Sequence, residues 1–145
     1  MEERKQFCTF YLDDLFFGID VLKVQEIIRY QEMTQVPLAP SVICGLINLR
    51  GQVVTAMDLR PRLGLAERVS DELPMNVIIR TEDDTVSFLV DEIGDVVEPE
   101  EDSFEPPPET IGTGVRKLIN GVYKLDDRLL LVMDAERTMD LTASA

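Results

Sequence analysis

The sequence predicts an all-β protein of the barrel or sandwich class. Three observations carry that expectation. Apolar residues recur with a period of two through most of the chain, the alternating runs are short and set apart by turn-forming residues, and only two stretches carry helical spacing. Pattern alone leaves the strand order open.

The elements follow in chain order. Phe7, Thr9 and Tyr11 alternate with Cys8, Phe10 and Leu12; Asp13-Asp14 supplies a turn; and Leu15, Phe17 and Ile19 resume the alternation, which predicts a hairpin. Val21, Val24 and Ile28 then fall at i, i+3 and i+7 behind Asp20, a good N-cap, so a short amphipathic helix is predicted over 21–29. Pro37 and Pro40 mark a loop. The region from Ile47 to Leu59 reads as extended and is punctuated by Gly51, while Arg60 to Asp71, with Pro61 and Gly64, reads as a connection. Strands are expected over Asn76–Arg80, Val86–Val90 and Asp95–Glu98, with Glu82-Asp83-Asp84 turning between the first two. Glu98 to Pro108 mixes Pro99, Pro106, Pro107 and Pro108 with five acids and is expected as an exposed loop. Two last strands, Val115–Leu125 and Arg128–Met133, flank an Asp126-Asp127 turn, and a short helix is expected over Asp134–Leu141.

At 145 residues the chain fits one domain or two tightly joined subdomains, large enough to bury roughly two thirds of its unfolded surface without staples. It holds no apolar run long enough to span a bilayer as a helix. Its start, Met1-Glu-Glu-Arg-Lys-Gln, lacks the basic-then-apolar layout of a signal peptide, and the expected location is the cytoplasm. Cys8 and Cys44 stand among apolar neighbours and are expected as reduced core residues. The formal net charge is −14, unevenly spread: from Thr81 to Val115 there are twelve acids and no Lys or Arg, whereas Arg50, Arg60, Arg62 and Arg68 cluster earlier. Such an acidic half repels nucleic-acid phosphates and anionic headgroups, leaving proteins as the natural partners.

Catalytic groups are scarce. With no histidine there is no Ser-His-Asp or Cys-His arrangement and no His-rich metal site, two distant cysteines make no zinc site, and Gly112-Thr-Gly114 matches no phosphate loop. Paired carboxylates could serve a hydrolase, an alternative of a different class, but they sit at turns, where acids are common for other reasons. Glu98–Asp102 lacks the spacing of a calcium loop. No cofactor is expected. Arg50, between an apolar strand and Gly51, reads either as a surface arginine paired with a local acid or as an interface anchor.

Phe17-Gly-Ile-Asp-Val-Leu-Lys-Val-Gln-Glu-Ile27, Val36-Pro-Leu-Ala-Pro40, Gly45-Leu-Ile-Asn-Leu-Arg-Gly51, Met57-Asp-Leu-Arg60 and Phe88-Leu-Val-Asp-Glu-Ile93 with Val96 follow one another in an order that resembles the CheW family of chemotaxis coupling proteins. Asn120-Gly121 and Leu129–Val132 resemble that family's closing strands, so the resemblance runs from residue 7 to about 140. It implies one CheW-like domain over 1–145, made of two intertwined five-stranded SH3-like β-barrels with short helices and a shared core. It also implies a non-catalytic adaptor that couples chemoreceptor cytoplasmic tips to the regulatory domain of a CheA-type histidine kinase, recruited to membrane-associated arrays without entering the membrane. A scaffold for a non-flagellar chemosensory pathway is the alternative within the family. By resemblance, Val24, Glu26, Arg50, Ser87, Ile93 and Val96 line or support the groove between barrels in which a receptor helix lies. The sequence departs from the family at Thr55, where proline is frequent, and in the strongly negative Glu98–Pro108 loop.

Overall fold

A computed structural model describes residues 5–67, 72–82 and 84–141. In chain order its strands are β1 (Phe7–Leu12), β2 (Leu15–Asp20), β3 (Val24–Ile28), β4 (Ile43–Leu49), β5 (Gln52–Asp58), β6 (Met75–Arg80), β7 (Thr85–Val90), β8 (Glu92–Val97), β9 (Phe104–Glu105), β10 (Ile119–Lys124) and β11 (Leu129–Met133). The helices are α1 (Leu59–Leu63), α2 (Thr113–Arg116) and α3 (Ala135–Met139). The predicted all-β class is the observed one.

The strands form two sheets, ordered β8-β1-β2-β11-β10-β9 and β3-β6-β7-β5-β4. Most pairs are antiparallel; β2 with β11 and β5 with β7 run parallel. Each sheet curls into an SH3-like barrel. In the second, the chain leaving β3 at one edge returns to β4 at the other, where Thr34 and Leu46 exchange two backbone hydrogen bonds of 2.8 Å. The first barrel is assembled from both ends of the described chain, with the whole second barrel inserted between β2 and β8. Its five long strands are joined by the two-residue β9 as a sixth.

Strand alternation sorts the apolar side chains into three clusters. In the first barrel Phe7, Phe16, Tyr123, Leu130 and Val132 fill the interior; in the second Ile47, Leu49, Val54, Ala56 and Ile78 do. The opposite faces of the same strands meet between the barrels: Phe10, Leu12, Phe17, Ile19, Leu131 and Met133 from one sheet pack with Met57, Val77, Ile79, Phe88 and Val90 from the other. A strand buried on both faces reads as a continuous apolar run, as β11 does (Leu-Leu-Leu-Val-Met). Each large side chain so buried contributes about 1.5–3 kcal/mol of transfer free energy.

Several expectations need correction. Residues 21–29 are not a helix: a 3-10 turn spans Val21–Lys23 and β3 follows. Asp20 does cap that turn, its Oδ1 accepting from the Leu22 N–H at 3.0 Å. The β-branched Val24, Ile27 and Ile28 suit an extended chain, and β6 offers an antiparallel partner for them. The extended region 47–59 is two strands, because Arg50-Gly51 turns β4 back onto β5. The connection after it begins with α1, N-capped by Asp58 and closed by Gly64 at φ 76°. Val115 lies in α2, and the strand expected to begin there starts at Ile119. The acidic loop is mostly exposed, as expected, but Phe104-Glu105 pairs with β10, and the Phe104 ring lies 4.9 Å from that of Tyr123. Arg68–Asp71 and Asp83, the end of the predicted connection and the middle of a predicted turn, lie outside the described residues.

Candidate partner-binding surface

The β4–β5 turn is tight. Arg50 and Gly51 both take positive φ, 50° and 89°, the pattern of a two-residue turn matched to strand twist. Asn48 closes it, its Oδ1 accepting from the Gly51 N–H at 2.8 Å. Glycine adopts such a φ freely; arginine does so at a cost of about 1–2 kcal/mol. A strained residue of this kind is held by its surroundings, and here the holder is Glu26 on β3. Arg50 Nη1 donates to Glu26 Oε1 at 3.1 Å and Nη2 to Oε2, a fork-to-fork pair across 24 positions of sequence. The hydrogen bonds from Arg50 hold the Glu26 carboxyl below the usual carboxylate range. The guanidinium nevertheless stays in water, its side chain 68% exposed.

The other predicted positions divide into three groups. Val24 lies two residues before Glu26, half-buried against the shared core and opposite Ile79. Ile93 and Val96 belong to the other barrel, on β8. Ile93 packs half-buried on the same shared core, and Val96 is 57% exposed opposite Cys8. Ser87 is different. It is fully buried on β7, in register with Ala56 and Ile78 of the second barrel's interior, and donates to Asn76 Oδ1 at 2.7 Å. Asn76 in turn donates to the Arg29 carbonyl at 3.1 Å, just past β3. Ser87 thus supports the strand that carries Glu26 and offers nothing to a partner directly. Glu26 and Arg50 are brought into contact; Val24 and Ile93 approach the shared core from opposite sheets.

Arg60 closes the Met57-Asp-Leu-Arg60 motif, which by itself gives the residue no task. Its guanidinium is buried and spans three segments: Nε and Nη2 donate to Asp91 at 3.2 and 2.6 Å, Nη2 also to Asp13 at 2.6 Å, and Nη1 to the Ala66 carbonyl at 2.8 Å. Asp13 reads from the sequence as a turn acid and Asp91 only as part of the Phe88–Ile93 motif, and nothing short of the fold puts them together. A cleft of about 500 Å³ opens at the end of the first barrel over Phe7, Phe104, Tyr123 and Val132. Of its rim carboxylates, three have structural tasks. Asp20 and Asp134 cap helical turns, and Glu136 pairs with Lys23, which lowers its pKa from the usual glutamate range. Among the described residues no group of three or more His, Cys, Asp or Glu is arranged to hold a metal ion, and no helix is long and apolar enough to cross a membrane.

The family model of the CheW-like domain matches residues 6–143. The chain belongs to the CheW family. CheW relatives are similar along nearly their whole length. The chemotaxis protein CheW of Bacillus subtilis is 36% identical over 137 residues, covering 94% of this chain and 87% of the relative. That of Klebsiella aerogenes is 31% identical, covering 93% and 81%. Among solved structures, the CheW scaffolding protein of Thermoanaerobacter tengcongensis superposes with a TM-score of 0.80 at 29% identity, covering 91% of this chain and 90% of its own. CheW proteins are adaptors and scaffolds of chemotaxis, and the paired barrels described above are their fold.

Proposed function

We propose that this chain couples a chemoreceptor cytoplasmic tip to the regulatory domain of a CheA-type histidine kinase, and so controls the kinase within membrane-associated arrays. The observation that carries the reading is Arg50: a charged, exposed side chain on a strained turn, aimed by a bidentate pair with Glu26. An arginine whose fork is already oriented loses little freedom on binding, which makes it a natural anchor. On the inter-barrel faces, Val24 of β3 and Ile93 and the exposed Val96 of β8 offer apolar contact to an amphipathic helix lying between the barrels. Ser87 supports that surface from within. The acidic half of the chain favours partners with basic rims. An adaptor of this kind works by placement: holding receptor and kinase side by side raises their effective concentration without chemistry of its own.

The test is charge reversal at Arg50. Arg50→Glu is expected to weaken binding of a receptor-tip helical fragment or of the kinase regulatory domain by about tenfold or more, with an unchanged circular dichroism spectrum. The swapped pair Glu26→Arg/Arg50→Glu restores the local ion pair but not the binding. Loss of the fold in Arg50→Glu, or normal binding of both partners, would refute the reading.

A further inference from the structure

The helix α1 follows β5 of the second barrel without a break, yet its two arginines reach across to elements of the first. Arg60 extends one way. It forks onto Asp91, where the chain crosses from β7 in one barrel to β8 in the other, and onto Asp13 in the β1–β2 turn. Those two turns are themselves joined: the Asp13 N–H donates to Asp91 Oδ2 at 2.9 Å, and the Asp91 N–H to the Tyr11 carbonyl at 3.0 Å. Arg62 extends the other way to the end of α3. Its Nε donates to the Thr138 carbonyl at 3.0 Å and its Nη2 to those of Arg137 and Asp140 at 3.0 and 3.2 Å. Between them Leu59 and Leu63 enter the shared core, and α2 packs so closely that a Cβ on Gly114 would lie 2.5 Å from the Leu63 carbonyl oxygen.

Five residues do not make a stable helix alone, so the position of α1 is set by what it touches. The apolar core between the barrels supplies most of the adhesion, but apolar packing is non-directional and tolerates small rotations of one face against another. A planar guanidinium with two carboxylates and a carbonyl around it is directional. Buried ionic groups add little net stability over an apolar replacement, and their best use is to select one geometry. Here the geometry selected is the angle between barrels. The fork ends on Asp91, and the next residue begins β8, the strand that carries Ile93 and Val96.

We propose that Arg60 is a positioning residue: with Asp13 and Asp91 it locks the two barrels at one angle and so sets how far Val24 on β3 stands from Ile93 and Val96 on β8, without touching the partner. The partner-binding part rests on the function proposed above; the angular part does not. Residual dipolar couplings of backbone N–H groups in the full chain test both. In the parent protein one alignment tensor should fit both barrels. In Arg60→Lys, which keeps the charge and loses the fork, each barrel should fit a tensor as well as before, but no common tensor should fit the two, and affinity for a receptor-tip fragment should fall about two- to thirty-fold. Asp91→Asn, which keeps the acceptor and loses a charge, gives the same test where a lysine at position 60 does not fold. A common tensor that still fits the variants overturns the lock; divergent tensors with unchanged affinity overturn the positioning role. Normal partner binding by Arg50→Glu would instead sink the proposed binding surface and leave the angular result standing.

Discussion

Replacing Ser87 with alanine separates a buried support from a contact residue. The hydroxyl is wholly inside the second barrel and donates to Asn76 Oδ1 at 2.7 Å. Alanine removes one oxygen and opens almost no cavity, so the cost is that of the hydrogen bond and the acceptor it strands. A neutral buried hydrogen bond contributes about 1 kcal/mol net, and an orphaned acceptor raises the loss to about 1–3 kcal/mol. For a chain of this size that corresponds to a fall in Tm of about 3–10 °C. Asn76 also holds the Arg29 carbonyl, so the disturbance should travel to the end of β3 and register as amide shifts around Ile28 and Arg29. Urea unfolding followed by circular dichroism measures the loss: the midpoint should fall with an unchanged slope. Receptor-fragment binding, measured well below the midpoint, should change little. If Ser87→Ala keeps full stability yet loses binding, the side chain meets the partner and the reasoning from burial fails.

Two further outcomes follow from the geometry. Gly121→Ala places a Cβ against the Phe104 ring and 2.6 Å from the Glu105 carbonyl oxygen, so β9 should lift from β10 at a cost of about 1–3 kcal/mol; hydrogen exchange should accelerate there while the β6–β7 pairing keeps its protection, and uniform protection would contradict it. The Glu26–Arg50 pair should show coupling in a double-mutant cycle at neutral pH. Because folding depresses the Glu26 pKa, that coupling is fully present above the ordinary glutamate range and vanishes as pH falls through the lower folded value; coupling that survives strong acid, or resists molar salt, would show that it is not ionic.

Much of this fold is legible in the sequence because its hairpins carry their own signals. Asp13-Asp14 turns β1 onto β2 with an acid at φ 55°, a conformation that aspartate tolerates better than most residues. Residues 21–29 mislead for a local reason: a register shift between Val24 and Glu26 breaks the period of two, and the surviving apolar spacing imitates a helix turn. Whether Ser87 lines or only supports the surface is hidden for a global one. Alternation correctly puts it on the face opposite Phe88, but whether that face meets water or a second apolar interior depends on how the sheet closes. The Glu26–Arg50 contact joins an edge strand to a turn 24 residues away, and the Arg60 fork joins a helix to two turns, so neither is visible in any window of the chain.

The insertion of one barrel within the other also has a temporal side. During synthesis the β1–β2 hairpin leaves the ribosome early, but β2 ends at Asp20 and its parallel neighbour β11 begins only at Leu129. The second barrel, contiguous from Val24 to Val90, can close long before that. Phe10, Leu12 and Phe17 must then wait, with one face lodged on a finished neighbour and the other bare, for strands not yet made. Closure over so long a separation is slow and leaves apolar edges open meanwhile. The nascent hairpin is therefore where a holding chaperone should bind, and where a lesion should reduce the yield of folded protein more than the stability of what does fold.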